Sequence, residues 1–204
     1  MCGVNDGGEA AGVGDIGGAG VRVVRTTTSV RVEATIPVSA AALFGVMRDP
    51  LRHSEIDGSG TVQVPAGQPP ITAVGQRFSA QVHLPGRSAY PVVNHVVAFE
   101  PDRLLAWLPA NPDTPPLGIR WEWSFTGTTG GAAVSQTCDW SAVTDTAYLR
   151  RVRLPRVSPA QMSASLARLG RAARSRTAPG ADGVGVRCVA CHAHPTSLIA
   201  KLRK

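Results

Sequence analysis

The sequence predicts an α+β domain: an antiparallel sheet with two short helices near its start and a long amphipathic helix that closes it. Three observations carry this. Strict apolar/polar alternation recurs through the middle of the chain, as in QRFSAQVHL at 76–84 and IRWEWSF at 119–125, and a period of two marks half-buried strands. Turn signals separate these runs: Pro85-Gly86, Glu100-Pro101-Asp102 and the GTTGG of 127–131. Last, SPAQMSASLARLGRAAR at 158–174 places Met162, Leu166, Leu169 and Ala173 on one helical face.

The elements follow in order. Residues 1–20 are Gly-rich without periodicity and read as a flexible tail. In SVRVEATI (29–36), Val30, Val32, Ala34 and Ile36 alternate with polar residues, a half-buried strand that Pro37 ends. Ser39 then fits as N-cap of a helix over 40–47, with Val38 and Leu43 spaced for a hydrophobic staple. DPLRHSEIDGSG (49–60) holds the residue types of an acid/base constellation in Asp49, Arg52, His53, Glu55 and Asp57. Each end of it also has a structural reading: Asp49-Pro50 opens a short second helix, and Asp57-Gly58 is a turn.

After the strand TVQV come the strands of 76–84 and 90–99, then RLLAWLPA, the proline-rich loop NPDTPPLG (111–118), and the strand bearing Ile119, Trp121, Trp123 and Phe125. AAVSQTCDWSAV is the last strand. Ser158, Pro159 and Gln161 then provide cap, first-turn proline and capping-box partner for the long helix.

Composition narrows the function classes. A chain of 204 residues, 43% hydrophobic and 17% charged, is an ordinary globular protein of one domain. No apolar run approaches the roughly 20 residues of a membrane-spanning helix, and the first residues lack the charged and apolar regions of a secretory signal. The expected compartment is the cytoplasm. The net charge of +7 comes from arginine, since the only lysines are Lys201 and Lys204. Two readings stay open: the codon bias of a GC-rich coding sequence, or a basic face for anionic membrane built from Arg150, Arg151, Arg153 and Arg156 with Arg168, Arg171, Arg174 and Arg176. No nucleic-acid motif appears, and aromatics are 5% of the chain. Cys188, Cys191 and His192 have the spacing of a haem attachment site. They lie in the Gly-rich, basic 177–204 segment, read as a second tail, where a four-ligand zinc site has no framework. No metal and no cofactor are expected.

The order of strand, two short helices, about six antiparallel strands and a long C-terminal helix is the helix-grip order. With VEATIPVSAAALFGVMRDPLRHSEIDGSG, NHVVAFEPDRLLAW, WEWSF, DWSAVTD and PRVSPAQMSASLARLG, the chain resembles the START-like (SRPBCC, Bet v 1-like) superfamily. Within it, the resemblance is to actinobacterial polyketide cyclase/dehydrase and lipid-transport proteins, and it covers residues 21–176. It implies a curved sheet wrapped around the C-terminal helix with a cavity between them. The uses it implies are carriage of an apolar or amphipathic small molecule, or cyclisation and dehydration of a polyketide in the same cavity. A separate reading, led by the arginines of 150–176 and not by the resemblance, is an adaptor or membrane-surface protein acting through an Arg-rich face.

Residue patterns supply candidates for that cavity. Trp121 and Trp123 share the apolar face of one strand and Trp107 ends its neighbour; they either line a cavity or fill a core. Asn94 falls on the parity of Tyr90, Val92 and Val96, so it bridges backbone at a bulge or points at a ligand. Tyr90, Asn94, Trp107, Trp121 and Trp123 are the ligand-binding candidates. His95, His53 and Asp139 are the candidates for proton handling, with His95 on the opposite face of its strand from Asn94.

Overall fold

A computed structural model describes residues 20–177. Residues 1–19 and 178–204, which hold the two expected tails and the Cys188/Cys191/His192 cluster, lie outside the described residues. Two strands, β1 (Val21–Arg25) and β2 (Ser29–Ile36), lead into α1 (Ala40–Met47), a 3-10 turn (Pro50–Arg52) and α2 (His53–Ile56). Six strands follow: β3 (Val62–Gln63), β4 (Arg77–Val82), β5 (Tyr90–Glu100), β6 (Leu104–Ala110), β7 (Arg120–Thr128) and β8 (Gly131–Asp139). The chain then forms α3 (Thr146–Arg151) and closes with the 19-residue α4 (Pro159–Thr177). The strands make a single curved antiparallel sheet in the order β1-β2-β8-β7-β6-β5-β4-β3.

Local chemistry explains the boundaries. Ser39 caps α1 by accepting from the Ala42 amide at 3.3 Å, and Asp49 caps the 3-10 turn through the Leu51 amide at 3.1 Å. The box at the start of α4 is closed in both directions: Gln161 N–H donates to Ser158 Oγ at 3.2 Å, and Ser158 N–H donates to Gln161 Oε1 at 2.8 Å. The β7–β8 turn is a two-residue hairpin with Thr128 opposite Gly131.

The concave face of the sheet carries the inward parity of each strand. Val30, Val32 and Ile36 of β2, Phe78 and Ala80 of β4, Val92, Asn94 and Val96 of β5, and Trp123 and Phe125 of β7 are all buried there. Helix α4 crosses only part of this face, packing on β2 and β8 with α1 and α2 beside it. The dry core forms where they meet, around Leu43, Phe44, Val134, Leu166 and Leu169, with Phe44 edge-on to Phe99 and Phe125.

Two elements were not expected from sequence. Strand β1 is an edge strand that pairs with β2 and buries Val23 alone, so its VRVVR pattern shows little alternation. Helix α3 buries no residue. It has a cap, Asp145 accepting from the Tyr148 amide at 2.8 Å, but no apolar stripe to give it away.

The turn after α2 locks the fold. Asp57 Oδ2 accepts from the amides of Thr61 and Val62 at 2.8 and 2.9 Å, and Oδ1 accepts from the Ser59 amide at 3.0 Å. The next residue, Gly58, donates its N–H to Ser165 Oγ of α4 at 2.8 Å, and Arg168 donates to the Asp57 carbonyl at 2.6 Å. A Cβ on Gly58 would stand 2.1 Å from the Gln161 carbonyl oxygen, so helix backbone and turn backbone touch directly.

A paired substitution tests this contact. Gly58→Ala should destabilise the domain by about 1–3 kcal/mol through overpacking. Gly45→Ala, where an added methyl meets nothing within 4 Å inside α1, should stabilise it by up to about 1 kcal/mol. Urea midpoints of the two variants check both signs; a Gly58→Ala midpoint equal to wild type would contradict the close approach.

Candidate functional site: a cavity between sheet and helix

Because α4 covers only part of the concave face, a cavity of about 790 Å³ remains between the sheet and the first turns of the helix. This volume lies within the range of small-molecule sites, about 300–1,000 Å³. Tyr90, Asn94, Trp107, Trp121 and Trp123 all line it. The ladder explains how they meet: Trp107 stands opposite Trp121 across β6 and β7, and Asn94 stands opposite Pro109 across β5 and β6. From the helix side Gln161, Met162 and Ser165 complete the wall. Its exposed members mark the mouth: Asn111, Thr114, Pro115 and Leu117 of the proline-rich loop, and Arg156 before α4.

The 49–60 stretch resolves into structure with one exception. Asp49 is a cap, Asp57 holds its turn, and Glu55 pairs with Arg52. His53 differs. It is 7% exposed and lines the cavity. Its ring stacks on Trp107, centroids 5.5 Å apart at 23°, and meets Phe78 edge-on at 5.1 Å. Nε2 lies 2.8 Å from the Met47 carbonyl oxygen, an acceptor, so Nε2 carries the proton and donates. Burial pushes the imidazole pKa below its ordinary value, against smaller opposing effects of that hydrogen bond and of Asp49 and Asp57. The ring is thus neutral, and its Nδ1 lone pair has no protein partner among the described residues.

The other two proton-handling candidates do not line the cavity. The period-2 rule sends His95 through the sheet to the convex side, where it is half-buried in register with Arg77 and Leu108. Asp139 sits at the end of β8, and its Oδ1 accepts from the Ser141 amide at 2.7 Å, which makes it a turn-former. Asn94 is not at a bulge, since the irregularity of β5 falls between Val96 and Ala98. Its side chain is 6% exposed and makes no hydrogen bond among the described residues.

Sequence reasoning passed over two residues of this wall, Gln136 and Cys138. Both fall on the parity of Val134 in β8, so the argument that singled out Asn94 would have found Gln136 too. Gln136 is 9% exposed, and its Oε1 is buried without a hydrogen-bond partner. Cys138 is 1% exposed, and burial, aided by Asp139, pushes its thiol up to about 12. It is an unreactive thiol at neutral pH. Among the described residues no group of three His, Cys, Asp or Glu is placed to hold a metal ion. No helix among them is long and apolar enough to cross a membrane.

No family model matches the chain. It is 40% identical over 101 residues, half of its length, to the uncharacterized protein Rv0088 of Mycobacterium tuberculosis H37Rv. The match to the uncharacterized protein MT0096 of strain CDC 1551 is 39% over 101 residues. In each case the match spans 40% of the relative's own length. Among solved structures, the chain is similar to protein Ms6760 of Mycobacterium smegmatis (TM-score 0.56, 13% identity, 81% of this chain and 99% of that one). It is similar also to a protein of Arthrobacter aurescens (0.56, 11%, 84% and 98%). A third is the AHSA1-like protein of Aeromonas hydrophila (0.50, 17%, 73% and 94%). Identities this low speak to the fold alone, and the fold is a helix-grip one.

The neutral state of His53 has a thermodynamic consequence. Its folded pKa lies below the unfolded value near 6.5, so below that pH the unfolded chain binds more protons and stability falls. The contribution is present above pH 6.5 and is lost as pH falls through the folded pKa. Urea midpoints of wild type should therefore drop as pH falls below about 6.5, and those of His53→Gln should be flatter there. Identical slopes in the two proteins would show that His53 is not buried in its neutral form.

Proposed function

We propose that this domain binds and carries an apolar or amphipathic small molecule, lipid- or polyketide-like, in the cavity between sheet and C-terminal helix. One observation carries the reading: an open-mouthed cavity of about 790 Å³, walled mainly by apolar and aromatic side chains, in a domain otherwise packed around a dry core. Ligand sites are apolar enclosures with a few fixed polar groups, and Asn94, Gln136 and His53 are such groups here. Native mass spectrometry of the purified protein, followed by solvent extraction, should give a discrete non-covalent adduct. Trp121→Ala and Asn94→Ala should each weaken rebinding of the extracted compound at least tenfold. A clean apo mass, with no tryptophan-fluorescence response to a panel of lipids and aromatic polyketides, would sink the reading.

A second use of the same cavity, cyclisation or dehydration of its occupant, is favoured by one observation. The Nδ1 lone pair of His53 is a neutral base in a mostly apolar enclosure, and a base held there acts only on what the cavity admits. Dehydration would appear in the extraction experiment as a bound compound one water lighter than the one loaded, and cyclisation alone as an isomer of unchanged mass and altered chromatographic retention, changes that His53→Gln should abolish while binding persists. Recovery of every loaded compound unchanged would leave carriage alone.

The mouth also suggests where such a carrier would meet anionic lipid. Arg150, Arg151, Arg153 and Arg156 are exposed without a carboxylate partner among the described residues, close in sequence to the exposed Leu149. Arginines near an anionic surface contribute about 1 kcal/mol each. Sedimentation with phosphatidylglycerol vesicles should show binding that replacing these four by Ala removes and that salt weakens, exposed charges being screened within about 10 Å at 0.1 M. Salt-insensitive binding, or none, would dismiss this contact.

A further inference from the structure

Gln136 is the most anomalous polar group of the fold. Its neighbours on the concave face are Val32 and Trp123 across the ladder and Val134 and Cys138 along its own strand. None accepts from or donates to its carboxamide, and Oε1 is the one buried side-chain N or O atom among the described residues that has no partner. Leaving such an atom dry is costly, and a position flanked by Val134, Cys138, Val32 and Trp123 would pack with Leu or Met. The other buried polar side chains are engaged or reach the cavity: Ser165 bonds Gly58 and Gln161, Ser135 bonds Ser124, and His53 bonds Met47. Asn94, on the far side of the cavity in β5, repeats the pattern with a second carboxamide lacking a protein partner.

Between these two amides, on β6 and β7, lie Trp107, Trp121 and Trp123. Indoles favour flat, polarisable partners over flexible chains. The interior wall offers no free charge: Asp57 is spent on its own turn, and Arg156 stands at the mouth. An ionised group inside would be left without a counter-charge, at high cost.

We infer that Gln136 is the specificity-determining residue of this cavity: its side chain lines the wall, and its carboxamide turns about the soft terminal torsion on binding so that the now-buried Oε1 accepts a hydrogen bond from a hydroxyl or N–H of an uncharged, flat ring ligand. This rests on the ligand-binding reading above and narrows it: a donor-bearing polycycle is selected over a hydrocarbon or acyl chain of the same size. A site built to pair a donor discriminates against the analogue lacking it because its own acceptor is then left unpaired.

The test uses three fluorescent probes of one shape, 1-hydroxypyrene, 1-methoxypyrene and pyrene, titrated against the full chain at neutral pH. Wild type should bind 1-hydroxypyrene at least tenfold more tightly than 1-methoxypyrene, whose oxygen cannot donate. Gln136→Leu should bring the two within about twofold, a difference of a few tenths of a kcal/mol, while leaving pyrene bound at least as well as before. Gln136→Met, unbranched and of similar length, is the second variant, so that a folding defect in one does not decide the matter. Equal affinities of wild type for the hydroxyl and methoxy probes would mean that water serves Oε1, and would overturn the assignment while leaving the cavity reading intact. A hydroxyl preference that survives in both variants would overturn it as well. Failure of all three probes to bind would remove the cavity reading and this inference together.

Discussion

The direct contact of helix α4 with the Asp57-Gly58 turn determines what the rest of the molecule can be. A helix on a sheet is ordinarily held by side chains, and its height and rotation can adjust to them. Here the Gly58 backbone touches the Gln161 carbonyl region, Ser165 and Arg168 bond the turn from the helix side, and the turn is itself wired by the Asp57 carboxylate. The start of α4 is therefore pinned over one side of the concave face, against α1, α2, β2 and β8. It cannot sink towards β4, β5 and β6 without breaking bonds at backbone level. The cavity is the volume that this clamp keeps the helix from filling.

This also explains how the polar groups divide. Those of the clamp are saturated: four of the hydrogen bonds of the turn converge on one carboxylate, and Ser165 both donates and accepts. Three polar side chains of the cavity wall outside the clamp keep an unpaired atom: Gln136 Oε1, the Asn94 amide and His53 Nδ1. An unpaired buried polar group costs about 1–3 kcal/mol. Asp57 and Ser165 border the same cavity, so the division follows role and not place: what holds the fold is satisfied by the fold, and the unpaired atoms belong to side chains that do not hold it.

Much of this was legible in the sequence because the physics behind it is short-range. The alternation of β2, β4, β5 and β7 fixes which side chains face inward whatever the strands pair with, and it placed Tyr90, Asn94, Trp121 and Trp123 on the concave side. The capping box at Ser158 and the cap at Asp49 are likewise local. What stayed hidden depends on distant partners. Nothing in HSEI says that the His53 ring will lie on Trp107, more than fifty residues later, in place of solvent. Gly58 reads as turn punctuation until the helix backbone arrives beside it. Strand β1 and helix α3 bury too little to leave a pattern. Gln136 shares its parity with Val134 and Cys138 and was readable by the rule that found Asn94; its apolar surroundings, which make it matter, come from β2 and β7.

The four tryptophans show why a fold of this kind keeps a void at all. Trp123 belongs to the core cluster, and Trp107, Trp121 and Trp140 pack half-buried against it. Strand pairing sets Trp107 opposite Trp121 along the cavity wall, and Trp107 is propped further by His53 and Phe78. Rotation of Trp107 into the space beside it would cost its stacking on His53 and its edge contact with Phe78. On the proposed reading the same wall suits a flat occupant, and the carboxamides of Asn94 and Gln136 at either side are the groups that would tell one flat occupant from another.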